Sequence, residues 1–321
     1  MFNFWKRESK DEGISCVIRN LNEGEWVCLS ILSILDFADE IIFVDNASDD
    51  GSLDAVRRLK EDRGIEKLKI YTYPAIDGVK NKIHELYEFA FSKATKTWVF
   101  KWDGDFVART DQRYSIMELK ELWAWNRRKV DVFNICGLNL FGDHRHYLDS
   151  PPYDCDFCYE AYLWRNKGYR YVHGQKHELR VSDKPERSIS IGPRAQADDR
   201  RVYFFHLQAL KSDERITWRK TMSLWLQYCK DTKPPLLNYE QWLTQFWGTP
   251  SQAEQIKRCW AEFMPHLRRH DKVGGDWGDY PVLLKPYLEN PRYEVLSRDG
   301  KPSERVTHGD REPVLPQVSL E

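Results

Sequence analysis

No stretch of this 321-residue chain stays apolar for the roughly 18 residues that a bilayer crossing requires, so no transmembrane segment is expected. A surplus of positive charge is missing too. Forty-nine Lys and Arg stand against 50 Asp and Glu, and a net charge of -1 gives no polycation for nucleic acid. Cysteine is sparse and scattered; seven residues, an odd number, make no disulfide framework and point to reduced thiols. Cys155-x-x-Cys158, with His144 and His146 nearby, lacks the second cysteine pair of a zinc knuckle and the strand-to-helix setting of a redox motif. Met1-Phe2-Asn3-Phe4-Trp5 runs at once into charges, so no signal peptide is expected. The expected location is cytoplasmic, or at the cytoplasmic face of a membrane. There is no internal repeat.

Aromatic side chains, in contrast, are abundant: 13 Trp within a 14% aromatic share. Any one of them is more often core than binding surface, yet flat apolar faces also suit stacking on sugar rings. The most informative triplet is Asp103-Gly104-Asp105, which abruptly ends the apolar run Trp98-Val99-Phe100-Lys101-Trp102. A strand leaving a core can aim two carboxylates at one point, and the glycine allows close approach to the backbone. Hard oxygen donors in that arrangement suit Mg²⁺ or Mn²⁺. Asp-Gly-Asp is equally an ordinary turn, so its context has to decide.

That context is an alternation of strand and helix. Ile14–Ile18 reads as a strand, with Asn22 placed to cap a helix bearing Val27, Ile31, Ile34 and Leu35. Ile41–Val44 is a second strand, ending in the turn cluster Asp45–Ser52 ahead of Ala55, Val56 and Leu59. Leu68–Tyr73, a helix with Ile83, Leu86, Tyr87 and Ala90, and then Trp98–Trp102 continue the pattern. Such alternation predicts an α/β fold, a mostly parallel sheet with helices on both faces, and a ligand site at the carboxyl ends of the strands. Further along, helix is predicted over Gln112–Asn126, strand over Val130–Leu140, helix over Phe157–Lys167 capped by Gly168, and strand over Tyr169–Val172 and Arg201–Leu207. Thr217–Asp231, Tyr239–Trp247 and Ala253–Arg269 read as Trp-rich helices. The expected organisation is a polar lead-in over 1–12, an α/β domain over 13–210, a helical C-terminal subdomain over 211–296 and a disordered tail over 297–321.

With this order of elements the chain resembles the family 2 glycosyltransferases of the GT-A fold, a Rossmann-like architecture. Val17-Ile18-Arg19-Asn20-Leu21-Asn22-Glu23 resembles that family's first strand and Asn-Glu turn. Val44-Asp45-Asn46-Ala47-Ser48-Asp49-Asp50-Gly51-Ser52 resembles its second-strand Asp-rich signature. Lys80-Asn81, followed by Trp98 through Asp105, is similar to the approach to the D-x-D metal motif in the lipopolysaccharide-core branch. The resemblance implies a manganese- or magnesium-dependent inverting transferase. Asp105 and Asp103 would hold the ion, His206 would return to it from a late strand, Glu23 and Asp45 would bind base and ribose, and Lys80 would lie near the phosphates. A core His bonded to backbone is the plainer reading of His206, and a solvated helix start that of Lys80. The resemblance also implies a general base at the start of a helix, about a dozen residues before Gly168-Tyr169-Arg170. Counting back reaches Asp156, with Glu160 one helical turn later and Asp154 behind them; all three are also ordinary helix N-terminal acids.

The expected reaction is therefore transfer of a sugar from a nucleoside-diphosphate donor to a glycan or glycolipid acceptor, in cell-surface or structural glycan synthesis. The Gly142–Asp156 loop and the Trp-rich helices would form the acceptor wall. A nucleotidyltransferase is the first alternative, but it would normally carry a Gly-rich phosphate loop, and Arg19–Glu25 contains only Gly24. A non-catalytic nucleotide- or glycan-binding protein with a decayed site is the second.

Overall fold

The computed structural model describes residues 11–74, 83–110, 113–149, 157–166, 169–173, 177–181, 188–191, 201–232, 236–270, 273 and 278–309. The first half alternates as expected: β1 (Asp11–Asn20), α1 (Val27–Ser33), β2 (Glu40–Asp45), α2 (Ser52–Asp62), β3 (Leu68–Thr72), α3 (Ile83–Ser92) and β4 (Lys96–Asp103). After a two-residue turn come β5 (Phe106–Ala108), α4 (Ile116–Asn126), β6 (Val132–Phe141) and β7 (His146–Leu148). Strands β8 (Phe157–Arg165), β9 (Tyr169–His173), β10 (His177–Val181), β11 (Ser188–Ile191) and β12 (Phe204–Ala209) follow. The last third holds α5 (Asp213–Asp231), α6 (Tyr239–Trp247), α7 (Gln252–Phe263), β13 (Leu267–Arg269), α8 (Lys285–Glu289), β14 (Tyr293–Arg298) and β15 (Lys301–Thr307).

One mixed sheet organises the chain, in the order β3-β2-β1-β4-β8-β6-β12-β5, with β11 also paired to β6. Strands β3, β2, β1 and β4 are mutually parallel, and β6, β11 and β12 share their sense; β8 and β5 run against it. The apolar runs in the sequence are continuous because each strand feeds two cores. Ile14, Cys16 and Ile18 of β1, Ile41 and Phe43 of β2, and Trp98, Phe100 and Trp102 of β4 face a core shared with α1, α2 and α4. Their alternates Val17, Ile42, Val44 and Val99 face the other side, against Leu86 and Ala90 of α3. Phe43 and Phe100 are fully buried, each contributing about 1.5–3 kcal/mol relative to exposure. The α/β expectation, with helices on both faces, holds.

Three local expectations do not. Phe157–Lys167 is no helix. It forms β8, wedged antiparallel between β4 and β6, where Tyr162, Leu163 and Trp164 are all buried. Consecutive burial of Tyr162, Leu163 and Trp164 leaves no alternation to read there, and the aromatic-rich segment resembles a helical stripe instead. Asn22 does not cap α1; it takes a left-handed backbone (φ 55) and bonds Asp49, while Glu23 O accepts from the amides of Trp26 and Val27. Residues 297–307, expected within a disordered tail, lie in the β14–β15 hairpin, anchored by buried Tyr293, Val295 and Arg305. The three C-terminal helices form as expected, α7 ending at Phe263, and their Trp247, Cys259, Trp260 and Phe263 build a separate core with Phe141, Leu267 and Val295.

At the amino end of the parallel strands, Glu40 is buried and ties four segments together. It accepts from Ser15 Oγ of β1 (2.5 Å), Lys69 Nζ of β3 (2.5 Å), and both the amide and hydroxyl of Thr95 just ahead of β4 (2.9 Å each). Burial works against its charge, but the Lys69, Ser15 and Thr95 hydrogen bonds outweigh burial and hold its carboxyl below the ordinary value. Replacing it deprives four donors on three residues of their acceptor, so Glu40→Ala is expected to destabilise the fold by about 3 kcal/mol, read as a lowered urea midpoint. Because the folded-state pKa is depressed, this stabilisation is complete above the unfolded value of about 4.3 and fades as pH falls through the folded one. Glu40→Gln should flatten that acid limb; an unchanged profile would show that Glu40 does not carry it.

Candidate active site

The carboxyl ends of β1, β2 and β4 bring Arg19-Asn20, Asp45 and Asp103 onto one rim, because the parallel registers pair Asn20 with Asp45 and Arg19 with Asp103. Asn20 Nδ2 donates to Asp45 Oδ1 at 2.9 Å and to the hydroxyls of Ser48 and Ser52. Asp45 Oδ2 takes the Ser48 amide at 3.0 Å. Both Asp45 oxygens are thus engaged, Oδ1 by Asn20 of β1 and Oδ2 within the β2–α2 turn, and the residue is buried. Gly104 is required where it stands, since a Cβ would lie 3.1 Å from Asn20 Oδ1 and 3.3 Å from Glu23 Cβ. The β4–β5 turn is pinned by Ser30 Oγ donating to Asp103 O (3.0 Å) and by the Leu207 amide donating to Asp105 O (2.8 Å).

Asp105 is the centre of the charge cluster. Lys211, buried between β12 and α5, sets its ammonium 2.7 Å from Asp105 Oδ2 and 2.5 Å from Glu23 Oε2. Arg219 stands 3.8 Å from Asp105 and Arg215 3.7 Å from Glu23. Arg215 and Arg219 lie one helical turn apart, so with Lys211 just ahead of the N-cap Ser212 the start of α5 presents positive charge to the rim. Burial alone would raise the Asp105 carboxyl, but Lys211, then His206 and Arg219, hold it well below the ordinary range. For Glu23 burial prevails: it raises the carboxyl, Lys211 offsets only part of this, and Asp105 adds to the rise.

His206 reaches the same carboxylate from β12, paired there with Phe106 of β5; its Nε2 lies 3.4 Å from Asp105 Oδ2. Its Nδ1 lies 2.9 Å from Asn139 Oδ1. With Nδ1 held by the Asn139 amide oxygen, Nε2 is the ring nitrogen turned to Asp105 and the one that would be offered to a metal bound between them. Neighbouring ligands about 2.1 Å from an octahedral ion sit about 3 Å apart, close to the His206–Asp105 spacing. Asp103 Oδ1 is a buried acceptor without a hydrogen-bond partner, with Arg19 Nε at 3.8 Å. This donor set fits Mg²⁺ or Mn²⁺. Among the described residues no three His, Cys, Asp or Glu side chains form a ready metal group, so most of the coordination would come from ligand phosphate and water.

Of the residues singled out from sequence, Glu23, Asp105 and His206 converge, Asp103 adjoins them, and Asp45 sits one layer behind. Glu160 lies within β8, in register with Ile135, and not at a helix start, because the segment is a strand; the helix N-terminal role expected for it is corrected. Lys80, Asp154 and Asp156 fall outside the described residues. Lys211, Arg215 and Arg219 were not anticipated, since basic residues one turn apart read as a solvated helix face.

No protein-family model matches the chain, and no curated protein matches it. Solved structures do. Residues 1–349 of S. aureus TarS align at 12% identity over 95% of this chain and 98% of that one, with a TM-score of 0.39. The same protein in complex with UDP aligns at 14% identity over 57% of this chain and 62% of that one, TM-score 0.36. Mannosyltransferase PcManGT from Pyrobaculum calidifontis, in complex with GDP-Man and Mn²⁺, aligns at 15% identity over 79% and 78%, TM-score 0.36. Superpositions this loose carry no weight for the chemistry, which rests on the side chains themselves.

Lys211→Met removes the shared ammonium from two buried carboxylates and is expected to cost about 3 kcal/mol in urea denaturation. Adding Glu23→Gln should restore part of the loss. A single variant as stable as wild type would show that the cluster is held by its other cations.

Proposed function

We propose that the chain is a metal-dependent glycosyltransferase of the family 2 type, moving a sugar with inversion from a nucleoside-diphosphate donor to a glycan or glycolipid hydroxyl. One observation carries this reading. At the carboxyl rim of a mostly parallel sheet, a carboxylate and a histidine stand at ion-sharing distance beside three cations, Lys211 just ahead of α5 and Arg215 and Arg219 on its first turns. A diphosphate needs that combination, since its leaving-group charge must be met by fixed positive groups. Lys211, Arg215 and Arg219 would take phosphate oxygens, and Arg19 extends the positive rim beside Asp103. Asp105 and His206 would hold the ion, with Asp103 reaching it through water. Bound there, Mg²⁺ or Mn²⁺ would neutralise charge developing on the departing diphosphate.

Glu23 is poised to exchange Lys211 for a donor group when the diphosphate draws that ammonium away, which keeps it on the donor side of the site. Asp45 braces the β2–α2 turn that would border the base. The acceptor hydroxyl needs a base on the face opposite the leaving group, and Asp156 ahead of Glu160 remains our assignment for it. Among the described residues no helix is long and apolar enough to cross a membrane, compatible with work in the cytoplasm or at a membrane face.

The test is thermal stabilisation by UDP, GDP, dTDP and ADP, with CMP as control, each with and without Mn²⁺. One diphosphate should raise Tm by several degrees only when the metal is present. Asp105→Ala should then abolish that metal dependence and reduce donor turnover at least about a hundredfold, with the circular dichroism spectrum unchanged. A fully active Asp105→Ala enzyme would sink the metal assignment.

A further inference from the structure

Further along the same rim lies a cavity of about 440 Å³ that the donor site does not use. Its walls are the loop from Asp143 into β7, strand β13, and the β14–β15 hairpin. That volume is in the range of small-molecule pockets. Four cationic side chains line it, Arg145, Arg268, Arg269 and Lys301, against two carboxylates, Asp143 and Glu294. In a chain whose net charge is -1, this is a local surplus.

Both carboxylates already have partners. Asp143 is buried; its Oδ1 lies 2.6 Å from His146 Nδ1 and accepts from the Arg145 amide (2.7 Å), and its Oδ2 accepts from the Val295 amide (2.9 Å). Glu294 lies 3.1 Å from His308. Arg268 has Asp149 at 3.6 Å, at the exposed edge. Arg145, Arg269 and Lys301 are left with no carboxylate partner among the described residues, and all three are exposed. Arg145 Nε donates to His144 Nε2 at 3.1 Å, which fixes the root of the Arg145 guanidinium at the cavity wall. The cavity thus gathers three cations with no carboxylate of their own, and an oxyanion is the ligand that such a lining suits.

We propose that this pocket is a binding site for a phosphate group, with Arg145, Arg269 and Lys301 supplying the charge and the hydrogen-bond donors. On the transferase reading the group belongs to the acceptor, since the donor's diphosphate is met at Lys211, and this part of the proposal rests on that reading. The two sites are mechanically joined. Arg305 Nε donates to Gly142 O (2.7 Å) at the head of the pocket loop, and its NH2 to Lys211 O (2.8 Å).

The experiment titrates the full chain with inorganic phosphate, glycerol 3-phosphate, sulfate and acetate by calorimetry, for wild type and for Arg269→Glu/Lys301→Glu. Wild type should bind both phosphates saturably, more tightly than acetate and more weakly as salt rises, and the double variant should lose at least about tenfold in affinity. Arg145→Ala should lose less. The substituted side chains are exposed, and an unchanged thermal midpoint without ligand controls for folding. Phosphate binding unaltered by the double substitution, or no saturable binding by wild type, overturns the proposal. Nucleoside diphosphate with Mn²⁺ is titrated in parallel and should bind both proteins equally. Absence of nucleotide binding with the phosphate difference intact would remove the donor reading and leave the pocket standing.

Discussion

The Lys211 ammonium between Glu23 and Asp105 is the contact on which the rest of the rim depends. It gathers three segments that share no secondary structure: the turn after β1, the turn between β4 and β5, and the junction of β12 with α5. Two buried carboxylates this close would repel each other and resist desolvation; one buried cation makes their coexistence possible. Around that core the arginines of α5 are less buried and still available to a ligand. Charge thus lies in two layers, Lys211 deep between the carboxylates and the arginines outside it, a suitable arrangement for an anion that must bind and then leave.

The two ends of the parallel strands divide the labour. At the amino end, Glu40 satisfies Ser15, Lys69 and Thr95 and fixes how four segments line up. At the carboxyl end, two acceptors of the rim are left short of hydrogen-bond partners, Asn20 Oδ1 and Asp103 Oδ1. Other such atoms, Trp123 Nε1 and Trp247 Nε1 among them, lie in the helices, so it is the charge gathered beside the two acceptors that marks the rim as the place for a ligand. The stability of one end tolerates the incompleteness of the other.

Much of this was legible in the sequence. Continuous apolar runs ending in Arg-Asn, Asp-Asn and Asp-Gly-Asp announced a sheet buried on both faces with its polar ends together. His206, a polar break in Tyr203-Phe204-Phe205-His206-Leu207, could be picked out by the same logic. Lys211 could not, because its partners lie at positions 23 and 105 and no local pattern connects them. Strand β8 was hidden for the opposite reason: Tyr162, Leu163 and Trp164 are buried in succession, and a run without alternation suits a strand and a buried helix alike. The β14–β15 hairpin reads as polar tail because only Tyr293, Val295 and Arg305 of it go inward, too few to set a period.

Arg305 has one more implication. Its guanidinium holds the carbonyl of Lys211 from 94 residues further along, and also reaches Asp213 and Gly142. As the chain leaves the ribosome, the sheet and both carboxylates can assemble well before this hairpin exists. The rim then waits for nearly the last described strand to dock. Its charge geometry is braced by a residue of the last described strand, so the site should mature late, after the scaffold that carries it.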